Sequence, residues 1–180
     1  MKALLLIDIQ NDYFPGGAAE IVGPLEAAQC AAHALRLFRD EGLPVIHVQH
    51  ANTRPGATYL LPGTAGGDIH QSVAPLPGEP VVIKHAPNSF HDTTLDELID
   101  RLGVDHLVVC GMMTHMCVDT TVRAAKDRQL PVTLLHDACA TKDLAFGGAT
   151  VAASQVQASF VAALQGLFAD VIATADLNTG

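Results

Sequence analysis

Short unbroken apolar runs punctuate the chain: Ala3 to Ile7, Pro44 to Val48, Val81 to Ile83, Leu107 to Cys110, Val132 to Leu135 and Val171 to Ala173. Each is rich in Leu or β-branched residues and shows little alternation, as expected of strands covered on both faces. Between the runs the apolar spacing changes to that of a helix. Leu25, Ala28, Ala32, Leu35 and Phe38 form one stripe, opened by Gly23 and Pro24 and closed by Gly42 and Pro44. Leu95, Leu98, Ile99 and Leu102 form a second, with Thr94 and Glu97 spaced as a capping box and Gly103 as the stop. Val118, Thr121, Val122 and Ala125 make a third, and Ala149, Ala153, Val156, Phe160, Leu164 and Leu167 a fourth.

Strands that alternate with helices predict parallel neighbours joined by right-handed βαβ crossovers. The expected architecture is a three-layer, doubly wound α/β fold around a mainly parallel, six-stranded sheet. One stretch breaks the alternation. Ala51 to Pro80 is rich in Gly and Pro and shows neither period. An irregular segment of that length in a compact domain is expected to serve as a lid or a pocket wall.

Composition narrows the picture further. The 180 residues, 49% hydrophobic and 16% charged, suit a single domain over 1–180 with a substantial core. Ten Lys and Arg against 19 Asp and Glu give a formal charge of −9, and no basic run is present. That balance argues against a nucleic-acid partner or an anionic membrane surface. The early apolar stretch ends at Asp8 and is too short for a signal-peptide core or a membrane span. Four cysteines, Cys30, Cys110, Cys117 and Cys139, form no CxxC pair, so a reducing, cytoplasmic setting is expected.

In doubly wound sheets the ligand crevice lies beyond the carboxyl ends of the strands, which directs attention to the polar residues that follow the apolar runs. Asp8 ends the first, Lys84 ends the third, and Cys117 falls in the first turn of the helix after the fourth. Their chemistry is complementary. A thiol reacts as its thiolate, so Cys117 needs help. Thr114 as an N-cap would place Cys117 where the helix dipole favours negative charge, Lys84 would add a cation, and Asp8 could take and return a proton. The Gly111 to Thr114 loop could aim backbone amides at an oxyanion. Cys30 and Cys110 read as core residues, and Cys139, near Asp137 past a strand end, as packing.

These segments resemble the isochorismatase-like superfamily of cysteine hydrolases, which includes nicotinamidases and N-carbamoylsarcosine amidohydrolase-like enzymes. Asp8-Ile9-Gln10-Asn11-Asp12-Tyr13-Phe14 is similar to the family's DxQNDF signature. Lys84 to Phe90, with Thr93 and Leu95, is similar to its K…SxF…TxL segment, and Gly111 to Val118 to its GxxTxxCV nucleophile segment. Pro62 to His70 resembles its PGTxGxxIH stretch. The resemblance implies a triad of Asp8, Lys84 and Cys117, a cis peptide between Met112 and Met113, and an oxyanion hole from the N–H groups of Met113 and Cys117. It also implies a homo-oligomer, dimer or tetramer.

The nicotinamidase branch carries an Asp-x-His metal pair after the second strand. Here that stretch reads Val48-Gln49-His50-Ala51-Asn52. His47 and His50 are three apart on a strand and point to opposite faces, and no HExxH or paired Cys/His spacing occurs. No metal and no cofactor is therefore expected. Phe14, Phe90 and Met116 are candidates for an apolar substrate wall, with core packing the equal alternative. Gln10 and His115 are candidates for substrate hydrogen bonds, alongside His50, His85 and His91.

The favoured activity is metal-independent hydrolysis of a small amide or ureido C–N bond through a Cys117 thioester. Vinyl ether hydrolysis, which needs an acid but no thiol nucleophile, is the alternative within the same fold. A flavin- or nucleotide-binding module is disfavoured by the lack of GxGxxG or GxxxxGK[ST].

Overall fold

A computed structural model describes all 180 residues, Met1 to Gly180. The chain runs β1 (Lys2–Ile7), α1 (Pro24–Asp40), β2 (Val45–His50), β3 (Val81–Lys84), α2 (Leu95–Leu102), β4 (His106–Met112) and α3 (Asp119–Asp127). It continues through β5 (Val132–Ala140), β6 (Leu144–Phe146), β7 (Ala149–Val151), α4 (Ala153–Leu164) and β8 (Asp170–Ile172). Six strands form one sheet in the order β3-β2-β1-β4-β5-β8, with every pairing parallel. β6 and β7 make a separate antiparallel hairpin.

Both faces of the sheet are covered. Leu4 and Leu6 of β1 pack with Ala28, Ala31, Leu35 and Phe38 of α1. Ala3, Leu5 and Ile7 point the other way, against Leu95 and Leu98 of α2, Val122 and Ala125 of α3 and Leu164 of α4. Neighbouring positions along one strand thus serve two half-cores. Each fully buried Leu or Ile contributes roughly 1.5–3 kcal/mol, which is why these strands carry no polar alternation.

Three local expectations are corrected. Thr94 supplies no side-chain cap to α2; Thr93 Oγ1 instead accepts from Leu95 N–H at 3.2 Å and donates to Ser89 O at 2.6 Å. The fourth helical stripe is too long: Ala149 belongs to β7, and Leu167 lies beyond α4 with 65% of its surface exposed. Gly147 and Gly148, at φ 58° and 80°, form the two-residue turn of the β6–β7 hairpin. Finally, β5 outlasts its apolar run and reaches Ala140, past a register shift between Val109 and Gly111 of β4.

The 51–80 segment is pinned to the stretch that follows β1. Asn11 N–H donates to Asp68 O (3.0 Å) and Asp12 N–H to Gly66 O (2.9 Å), while Asp12 Oδ2 accepts from Leu60 N–H (2.6 Å). A Cβ on Gly66 would stand 2.1 Å from Asp12 Oδ1, so only glycine lets the loop approach this closely. At its far end Glu79 takes the Arg39 guanidinium in a two-pronged ion pair and bonds His47 of β2 at 3.0 Å. No helix of the chain is long and apolar enough to cross a membrane.

Candidate active site

Four neighbouring strands converge on one spot. In the spatial order β3-β2-β1-β4 their carboxyl ends bring Lys84, His50, Asp8 and, one turn beyond β4, Cys117. The order reverses between β1 and β4, and at such a switch point the two connections diverge and leave a crevice. The β1 and β4 backbones touch there: a Cβ on Gly111 would sit 2.1 Å from Ile7 O. Asp8 takes a left-handed conformation, φ 51°, which turns its carboxylate out of the strand; Asp is among the few non-glycine residues that tolerate it.

Lys84 is the hub. Its fully buried ammonium lies 2.7 Å from Asp8 Oδ2, 3.0 Å from His50 Nδ1, 3.0 Å from Ala86 O and 3.2 Å from Cys117 Sγ. An ammonium has three N–H donors for these four acceptors, so one of them is always shared. His50 must offer a lone pair at Nδ1 and is therefore neutral; burial, then the Lys84 charge, lowers its pKa to about 4. Gln10 holds this strand end, its amide accepting from His50 N–H and donating to His50 O and Gly67 O.

The electrostatics overturn one expectation. Burial first, and the neighbouring Asp8 second, push the Cys117 thiol above its ordinary range despite the opposing pull of Lys84. Burial also raises the Asp8 carboxyl, again against Lys84. One buried cation can balance one buried anion, and two would repel each other. The carboxylate is intrinsically the stronger acid, so it carries the charge and the sulfur keeps its proton. Thr114 does not cap a helix over Cys117 either. Residues Thr114–Val118 form a single wide turn closed by Val118 N–H to Met113 O at 3.3 Å, and the Thr114 hydroxyl donates to Ala140 O.

A cavity of about 90 Å³ opens onto the sulfur. Cys117, Met113, Met116, His50 and Pro87 line it together with Tyr13, and the 51–80 segment adds Asn52, Arg54, Tyr59 and Leu60. The Met112–Met113 peptide is cis, and the Met113 N–H has no acceptor within the chain. Of the residues singled out as substrate contacts, Met116 and His50 line this cavity, and Phe14, Phe90, Gln10, His115, His85 and His91 do not. Phe14 stacks on His70 (centroids 3.8 Å apart), Phe90 packs in the core beneath Arg128, His115 bonds Thr141 and meets the edge of Phe160, and the Gln10 amide is committed to backbone. His85 Nδ1–H donates to Ala51 O at 2.7 Å, and His91 lies beside Asp92 on the surface.

The composition of the 51–80 segment marks it as a wall but does not single out its lining residues. His50 likewise stands among several histidines, although its strand-end position, level with Lys84 in the β2–β3 register, is the same signal that exposed Asp8 and Lys84. Asp8, His50 and Cys117 offer ligand atoms within 4.8 Å of one another, the only such cluster in the chain. The Lys84 ammonium bonds all three, so these donors are organised around a fixed positive charge that would repel a metal cation.

Fold and site together define an isochorismatase-like hydrolase. Residues 2–176 match the isochorismatase domain, and the chain belongs to that family. It is 48% identical over 172 residues to YddQ, an uncharacterized isochorismatase family protein of Bacillus subtilis, with 96% of each chain covered. A solved structure from Oleispira antarctica, assigned to the isochorismatase hydrolases, superposes with a TM-score of 0.96 at 48% identity, covering 99% of this chain and 96% of the other. A streptothricin hydrolase of Streptomyces noursei is 38% identical over 144 residues, which span 80% of this chain and 56% of that protein.

Proposed function

We propose that the protein is a metal-independent cysteine amidohydrolase that cleaves a small amide or ureido C–N bond. The observation that carries this reading is the buried Lys84 ammonium held between a carboxylate and a thiol that opens onto the cavity. The 38% identity to a streptothricin hydrolase supports hydrolysis within the same family.

The resting charge pattern sets the order of events. As the Cys117 sulfur bonds to the substrate carbonyl carbon, its proton passes to Asp8, so the anion appears on the substrate oxygen rather than on an isolated sulfur. The unpartnered Met113 N–H and the Cys117 N–H receive that oxygen. Collapse breaks the C–N bond, Asp8 returns the proton to the departing nitrogen, and a thioester remains on Cys117. Water then gives a proton to Asp8 and its oxygen to the thioester carbon; the C–S bond breaks and the proton goes back to sulfur. Throughout, Lys84 holds the Asp8 carboxylate in place and offsets whichever anion is present.

Ammonia release across primary amides, carbamoyl compounds and ureides, with and without chelator, tests the reading. Chelator-insensitive turnover that disappears in Cys117→Ala, with an acyl adduct on Cys117 by mass spectrometry, is expected. Full activity in Cys117→Ala would reject the nucleophile and favour vinyl ether hydrolysis, and loss to chelator restored by zinc would reject metal independence.

A further inference from the structure

The cavity carries a charge that the proposed reaction does not use. The chain as a whole has a formal charge of −9, yet among the residues lining the cavity Arg54 alone bears a permanent charge. Asp8 and Lys84 lie behind the sulfur, sealed from solvent and paired with each other. Of the other arginines, Arg39, Arg123 and Arg128 are each matched to a carboxylate, with Glu79, Asp119 and Asp96 respectively, while Arg36 and Arg101 are unmatched but line no part of this cavity. The Arg54 guanidinium has no acidic partner and no hydrogen bond within the chain.

Its backbone is held in place. Pro55 and Gly56 (φ 80°) form a tight turn closed by Ala57 N–H to Arg54 O at 3.0 Å. Proline at the second position and a left-handed glycine at the third are what such a turn requires, so it is preorganised. Asn52 N–H to Leu60 O (2.9 Å) closes the base of the same excursion, and Leu60 N–H is anchored in turn on Asp12. After burial and Lys84, Arg54 is the next influence that keeps the His50 ring neutral, so its charge is felt at the inner wall of the cavity. The rest of the lining near it is Asn52 with the rings of Tyr13 and Tyr59, a wall that offers no competing anion.

We infer that Arg54 is a specificity-determining residue and that the substrate is a small amide or ureide bearing a carboxylate or other anionic group, which the guanidinium grips while Cys117 attacks the carbonyl. A planar guanidinium receives a carboxylate through two parallel N–H bonds, which fixes orientation as well as adding affinity. The inference rests on the reading of Cys117 as the reacting group, and its test does not require the natural substrate.

N-Iodoacetylglycine and N-iodoacetylglycinamide alkylate thiols through the same carbon with the same leaving group and differ in bearing a carboxylate or a neutral amide. Their rates at Cys117, followed by the mass of its peptide and normalised to a free thiol, give a charge-preference ratio. A ratio of about tenfold or more for the anionic reagent is expected in the native chain, falling severalfold in Arg54→Gln and recovering in part in Arg54→Lys. Lys84 also attracts anions and is present in all three proteins, so the change on substitution isolates Arg54. Arg54 is exposed, and an unchanged thermal midpoint in the variants excludes misfolding. Equal ratios in the native chain and Arg54→Gln would overturn the inference. A charge-dependent ratio in a protein that hydrolyses no amide would leave Arg54 as the anion site and reject the amidohydrolase reading instead.

Discussion

Lys84 Nζ and Asp8 Oδ2 stand 2.7 Å apart with both side chains wholly removed from solvent. A pair so placed is held at a cost, because two charges must be stripped of water and their attraction only partly offsets that loss. Removing one partner leaves the other stranded. Lys84→Met is therefore expected to lose about 3–5 kcal/mol of folding stability, measured by urea unfolding. The double variant Asp8→Asn with Lys84→Met is expected to regain most of it, since no bare charge remains. Equal losses in the single and double variants would mean that the pair is not electrostatically coupled.

The same arithmetic of one cation and two acids makes a sharper prediction for the sulfur. Asp8 holds the thiol pKa up, so Asp8→Asn should lower it, as the ammonium then faces the sulfur without a rival. Alkylation of Cys117 near pH 7 should become at least tenfold faster in that variant, while amide hydrolysis falls by 10³ or more for want of a base. Slower alkylation in Asp8→Asn would show that the thiolate is preformed in the native site.

Activity should fall on the acid side as Asp8 takes up a proton. Burial raises its pKa, so the ionised form that accepts the thiol proton is lost above the ordinary carboxylate range as the pH drops. A kcat/KM profile with an acid limb above pH 4 is expected. An acid limb unchanged in Asp8→Glu and Asp8→Asn would assign that titration elsewhere.

The Glu79 clamp has the opposite sign. Partial burial works to raise this carboxyl, but the Arg39 fork, the Leu76 N–H and His47 outweigh it and bring the pKa down to about 2. A carboxyl depressed in the folded state stabilises above its unfolded pKa, and that stability is lost as the pH falls from about 4.5 towards 2. Glu79→Gln should cost about 1–3 kcal/mol at pH 7 and much less near pH 2. A gap between the native chain and the variant that stays constant with pH would refute the clamp. The 51–80 segment carries Asn52, Arg54, Tyr59 and Leu60 into the cavity, so the variant should also show a raised KM.

Gly111 is the steric keystone where β4 meets β1. An added Cβ would lie 2.1 Å from Ile7 O, at a φ of 140° that side chains rarely adopt. Gly111→Ala is expected to destabilise the fold by more than 3 kcal/mol and to abolish activity, because β4 can yield only by moving the Cys117 turn away from Asp8. Thermal unfolding and turnover of the variant check this.

The apolar runs announced all six strands of the main sheet, and polar residues at their carboxyl ends announced Asp8, Lys84 and Cys117. Both signals are local: a strand buried on two faces must be apolar throughout, and its first polar residue marks where it leaves the core. The β6–β7 hairpin escaped notice because strands of three residues, mostly exposed, impose no period. Gln10, Phe14, Phe90 and His115 sit beside the signature residues in the chain yet face away from the cavity, since side chains next to each other on extended or turning backbone point in different directions.

Charge was decided only in three dimensions. Spacing along the chain says that a thiol, a carboxylate and an ammonium are present, but the depth of their burial and the sharing of one ammonium between two acids decide which acid is ionised. The lining of the cavity was likewise invisible, because residues 52–60 reach it through backbone hydrogen bonds to Asp12 and to one another. Hydrophobic pattern is written residue by residue, whereas desolvation and the approach of distant loops depend on every neighbour at once. The sequence thus named the strands and the residues of the candidate site, and tertiary packing set the proton on Cys117 and placed Arg54 at its door.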